Sequence, residues 1–101
     1  MAVVFLTITP LGTGTPSVSR FVAGVERILR ETKLTHQLTA MGTIIEGDLD
    51  EILRVVREMH EHPFTQGALR VSTSLRIDDR RDKEHTIAGK MRSVEEKLRS
   101  S

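Results

Sequence analysis

"LTHQLTAMGTIIEGDLDEIL" (Leu34–Leu53) holds two short strands and a helix start in twenty residues. The strands are expected at about Leu34–Thr39 and Gly42–Gly47, with a tight connection at Ala40–Met41. Asp48 followed three residues later by Glu51 forms a capping pair, and carboxylates there favour the positive end of a helix. Leu49, Ile52, Leu53, Val56 and Met59 then give that helix an apolar face, which should stop before Pro63 because the residue preceding proline disfavours helical geometry.

Working outward, "AVVFLTIT" (Ala2–Thr9) is rich in β-branched residues and meets Pro10, so it reads as a strand buried on both faces. In the loop "PLGTGTPS", Thr15 can cap a helix with Pro16 at its first position. Val18, Phe21, Val22, Val25, Ile28 and Leu29 recur at helical spacing up to about Glu31–Lys33. Downstream, "ALRVSTSLRID" alternates: Val71, Thr73, Leu75 and Ile77 on one side, Ser72, Ser74 and Arg76 on the other, as in a half-buried strand. Ile87, Met91, Val94 and Leu98 predict a C-terminal helix over about 86–98.

The order is β-α-β-β-α-β plus one helix. Two helices cover one side of a four-stranded antiparallel sheet, which predicts a single ferredoxin-like α+β sandwich over residues 1–101. The other sheet face calls for partial cover by another subunit. The C-terminal helix, outside the minimal fold, is a natural arm for oligomer contacts.

Composition narrows the function. The formal charge is +1, with 38% hydrophobic and 29% charged residues, which gives no global pull towards nucleic acid or membrane. Cysteine is absent, excluding disulfides, thiolate catalysis and cysteine-bound zinc. Phe5, Phe21 and Phe64 are the only aromatics among Phe, Tyr and Trp, too few for a base-stacking platform. The apolar start "MAVVFLTITP" lacks the basic beginning and cleavage site of a signal peptide and is too short to span a bilayer, so a cytoplasmic protein is expected.

Few motifs carry chemistry. "GTGTPS" (Gly12–Ser17) lacks the lysine of a P-loop and is either a plain turn and cap or a ligand-contacting loop. His60 and His62 stand two apart, and such positions diverge on a helix; no three-ligand metal set accompanies them, His36 or His85. Glu46, in the apolar "TIIEGD", either reaches solvent or an arginine, or recognises a cationic or amino-bearing ligand. No Ser-His-Asp order or isolated carboxylate pair argues for an enzyme.

"RIDDRRDKEHT" (Arg76–Thr86) mixes both charge signs. Its arginines compete with any metal for the carboxylates, and its acids cancel the basic charge that phosphates require. It reads as a self-paired strap that aims the terminal arm, with Asp78, Asp79, Arg80 and Arg81 at oligomer contacts beside Ile87, Met91, Val94 and Leu98.

"ITPLGTGTPSVSRFVAGV", "TAMGTIIEGDLDEIL" and "IDDRRDKEHTIAGKMRSVEEKL", in that order along nearly the whole chain, resemble the small thiamine-binding protein family of bacteria and archaea. The resemblance implies a ferredoxin-like protomer, assembly into dimers and commonly tetramers, and a non-catalytic binding protein for thiamine or its hydroxymethylpyrimidine moiety, with no cofactor. Thiamine needs an acceptor for its amino group, apolar walls for two rings and a nearby negative charge. Glu46 can supply the charge, and Thr43 with Gly12, Thr13 and Ser17 hydroxyl or backbone bonds. An oligomeric interaction or regulatory module with another ligand, or none, is the alternative.

Overall fold

The computed structural model describes residues 1–12, 19–82 and 86–100. The elements run β1 (Ala2–Leu11), α1 (Ser19–Arg30), β2 (Thr35–Leu38), β3 (Thr43–Gly47), α2 (Leu49–Thr65), β4 (Arg70–Asp79) and α3 (Ile87–Ser100). The sheet has the order β2-β3-β1-β4 and every neighbouring pair is antiparallel, which is the ferredoxin-like arrangement. The expected cap at Thr15 and Pro16, and Val18 of the α1 stripe, lie outside the described residues.

Side chains alternate across the sheet, so register assigns each face. Val4 lies between Ile45 and Ile77, and Leu6 between Thr43 and Leu75, facing the helices. They pack with Val25 and Leu29 of α1 and with Ile52, Val55, Val56 and Met59 of α2. Val3, Phe5, Ile44 and Glu46 occupy the opposite face of the sheet.

Three expectations are corrected. β1 runs on to Leu11 through Pro10. Its ladder with β3 stops at Leu6↔Thr43, whereas that with β4 continues to Leu11↔Arg70. A strand with one free side tolerates a proline whose missing N–H needs no ladder partner. α2 likewise runs past Pro63 to Thr65. Pro63 is fully buried one turn after Met59, so the lost helical bond near the helix end is offset by apolar burial. Its carbonyl accepts from Gln66 N at 3.1 Å and from Ala68 N at 3.0 Å, closing the helix. Leu53 is 40% exposed, and Val55 takes its place on the core face beside Ile52 and Val56.

The two anticipated turns are explained locally. The Asp48 carboxylate accepts from Glu51 N at 3.2 Å, capping α2. In the β2–β3 connection, Thr39 N donates to Gly42 O at 2.8 Å and Gly42 N donates to Thr39 Oγ1 at 3.1 Å. A Cβ on Gly42 would sit 2.8 Å from Leu6 O and 2.6 Å from the Phe5 ring, so only glycine lets this turn lie against β1.

α3 starts on the outer sheet face. Thr86 Oγ1 accepts from Gly89 N at 2.9 Å, and the Glu46 carboxylate accepts from Ile87 N at 2.5 Å. Lys90 adds an ion pair with Asp78 at 2.9 Å. Part of the cover over Val3 and Phe5 therefore comes from the chain's own first turn of α3, since Ile87 and Met91 border the same hollow. Beyond it Met91, Val94 and Leu98 are 59%, 55% and 70% exposed, and the molecule measures 50 Å along its longest axis.

Candidate functional site

Where β1 loses its β3 partner, the sheet and helices part around a cavity of about 270 Å³. Leu6 and Ile8 of β1, Phe21 and Val25 of α1, and Pro63 of α2 supply apolar walls. Thr39, Met41 and Gly42 of the β2–β3 turn form one rim, and Thr7 and Thr9 of β1 another. The core is apolar because Phe21, Val25 and Leu29 recur at helical spacing on α1. That stripe has one interruption, Glu26.

Glu26 is the buried carboxylate of this site, its side chain only 11% exposed. A carboxylate removed from water needs partners. His36, on edge strand β2, places Nε2 3.1 Å from Glu26 Oε1. The other ring nitrogen, Nδ1, lies 3.1 Å from Leu34 O. Both ring nitrogens therefore face oxygen acceptors, a carboxylate on one side and a backbone carbonyl on the other. Arg30 stands farther off, Nε 3.8 Å from the same oxygen, with its side chain 75% exposed. Thr43 completes the polar lining from β3, buried opposite Leu6 and Leu38.

This arrangement offers an enclosed acceptor in apolar surroundings, suited to a flat molecule that presents an N–H or amino group. Among the described residues that line it, none is a nucleophile paired with a base. Among the described residues no group of three His, Asp or Glu is placed to hold a metal ion.

The sequence-derived candidates are dispersed. Thr43 lines the cavity. Glu46, three residues on, faces the opposite side of the sheet, where it holds the start of α3. Gly12 lies beyond the end of β1 with φ 68°, the left-handed region glycine favours, and does not line the cavity. Thr13 and Ser17 lie outside the described residues. Glu26 and His36 were missed as site residues. The signal for Glu26 is its place on the apolar stripe, four residues after Val22 and three before Leu29. His36 carries no comparable signal, because its meeting with Glu26 depends on how β2 lies against α1.

The charged strap pairs within the chain. Arg81 Nη2 lies 2.8 Å from Asp79, and Arg80 Nε 2.7 Å from Asp82. The hydrogen bond from Arg81 holds the Asp79 carboxyl below its ordinary value, and the same bond raises the arginine. Asp82 raises Arg80 in the same way.

Comparison with known proteins agrees with the fold. A sequence model of a family described as thiamine-binding protein matches residues 4–95. The UPF0045 protein YqgV of Bacillus subtilis is 49% identical over 102 residues, 97% of this chain and 98% of the relative. A solved hypothetical protein of Methanocaldococcus jannaschii superposes with a TM-score of 0.85 at 40% identity, covering 94% of this chain and 96% of the other. A Thermotoga maritima structure, described as that of a candidate thiamine biosynthesis/salvage protein, superposes at 0.75 over 92% of this chain and 97% of the other; at 20% identity it speaks to the fold alone.

Proposed function

The chain belongs to the thiamine-binding protein family, and from that premise we propose that it binds thiamine or its hydroxymethylpyrimidine moiety, without catalysis, to buffer or deliver the vitamin. The observation that carries the reading is Glu26, a buried carboxylate lining an apolar cavity of about 270 Å³. An aminopyrimidine presents the amino donors such a carboxylate accepts, and its ring fits between Phe21, Val25 and Leu6. Thr43 and Thr39 offer hydroxyls at the cavity edge. Gly12, Thr13 and Ser17 remain proposed contacts because both elements they join, β1 and α1, line the cavity. Glu26 here takes the amino-acceptor role considered for Glu46, whose carboxylate engages α3.

Isothermal calorimetry and thermal melting with thiamine and with hydroxymethylpyrimidine test the reading. A ligand present at one hundred times its Kd should stabilise the protein by about 2.7 kcal/mol. Glu26→Gln replaces an anionic acceptor and should cost about 1.5–3 kcal/mol of binding, roughly ten- to a hundredfold in Kd. No heat and no melting shift at millimolar concentrations of either ligand would sink the proposal.

A second reading rests on the exposed Met91, Val94 and Leu98. With Ile87, and with Asp78, Asp79, Arg80 and Arg81 at the strap, they form the contacts of a homodimer or homotetramer in the cytoplasm.

A further inference from the structure

Outside the cavity, a groove runs between the outer side of α1 and the end of edge strand β2. It shares Val22, Glu26 and Leu38 with the cavity, so the two spaces adjoin along one turn of α1. Its remaining charged walls are Arg27 and Arg30. We infer that this groove is an anion subsite, and that the ligand class includes phosphate esters of the amino-heterocycle held at Glu26. The inference rests on the proposed function and specifies which chemical form of that ligand the protein prefers.

Charge and spacing carry it. Two guanidiniums face one carboxylate in the groove, and that carboxylate already meets His36 at 3.1 Å. Arg30 shares Glu26 only at 3.8 Å, and Arg27 has no ion-pair partner among the described residues. The groove therefore holds positive charge that its own side chains leave unbalanced. Arg27 and Arg30 follow Glu26 by one and four residues, so their backbone positions stand about 1.5 Å and about 6 Å farther along the helix axis towards its C-terminus. A molecule with an amino donor at one end and a phosphate at the other meets acceptor and guanidiniums in that order.

The competing use of these arginines is to offset the partial negative charge at the C-terminus of α1. That same helix end opposes an anion, so any phosphate here must be held by the guanidiniums, which can bind it through paired N–H donors. Preference for the ester should consequently depend on Arg27 and Arg30 and weaken with salt.

The test compares thiamine with its monophosphate by calorimetry at about 20 mM and 300 mM salt. At low salt the ester should bind about tenfold more tightly, and high salt should remove most of that ratio. In the Arg27→Gln/Arg30→Gln variant, checked for folding by thermal melting, the ratio should fall to about one. If that variant does not fold, the salt series on the unmodified protein still decides. Equal affinity for thiamine and its ester at low salt overturns this inference and leaves the proposed function standing. A preference that persists in the folded double variant or at high salt also overturns it, by placing the phosphate elsewhere. Binding of neither compound defeats this inference, and if hydroxymethylpyrimidine also fails to bind, the proposed function falls with it.

Discussion

Removing the carboxylate of Glu46 should free the terminal helix while leaving the sandwich intact. Among the described residues, three ties hold α3 at its start. The first is the bond from Ile87 N to Glu46 Oε2 at 2.5 Å, part-buried and charge-assisted, a type that contributes about 1.5–3 kcal/mol. The second is the exposed Lys90–Asp78 pair at 2.9 Å, where about 0–1 kcal/mol is usual. The third is the apolar contact of Ile87 and Met91 around the hollow over Val3, Phe5 and Ile44. No residue of α3 is buried, and a helix of 14 residues on its own is marginal in water. Glu46→Ala should therefore raise hydrogen exchange of α3 amides about ten- to a hundredfold, until it reaches the rate of unstructured chain. Lys90→Ala should raise it by less than about fivefold. Amides of Leu6 and Ile45, in the core ladders, should keep their protection in both variants. The measurement is exchange followed by mass spectrometry at low protein concentration, where contacts between copies are diluted away. If Glu46→Ala affects α3 no more than Lys90→Ala, or if β1 and β3 lose protection equally, the latch argument is wrong.

Other perturbations probe other parts of the molecule. The His62 ring stands where a Cβ on Gly24 would be, so Gly24→Ala should destabilise by about 1–3 kcal/mol through overpacking of α1 on α2; an unchanged urea midpoint would contradict this. Arg81→Ala removes the hydrogen bond that holds Asp79 down, so an NMR titration should find that carboxyl back near its ordinary 3.8. Because the folded value is depressed, the pair's stabilisation is present above about pH 4 and disappears as pH falls through the lowered value; its exposure keeps the effect small. Arg81→Ala and Asp79→Ala should also disturb assembly, and unchanged mass in both by light scattering counts against the strap. Deleting residues 86–101 should reduce the assembly state, and a truncated protein with undiminished mass refutes the arm.

The fold was legible where one local rule acted without a competitor. Asp48 and Glu51 mark the start of α2, and alternation along Val71–Ile77 marks β4, because capping and pleating are short-range effects. Pro10 and Pro63 misled because proline's local cost was weighed without its surroundings: a one-sided strand for the first, complete burial for the second. Thr43 was named as a hydroxyl contact for the ligand that the family resemblance implies, and the fold places it in the cavity lining. Glu46 drew attention as a charge in an apolar strand, yet strand period sends it to the face opposite Thr43. Glu26 and His36 are separated by the whole α1–β2 connection, and their 3.1 Å meeting is a property of packing that neither residue's neighbours announce.

The early end of the β1–β3 ladder bears on how a ligand can be recognised. Past Leu6, β1 has β4 on one side and the cavity rim on the other, with Thr7, Ile8 and Thr9 along that rim. In an antiparallel ribbon, successive residues direct their peptide groups to alternate sides, so some amides and carbonyls of this stretch point into the opening. A strand side without a ladder partner ordinarily invites a foreign strand, and Pro10 withholds a donor from this one. A side that cannot readily recruit a strand can still bond a small heterocycle edge-on. Such recognition would survive most substitutions at Thr7 and Thr9, because it belongs to the main chain.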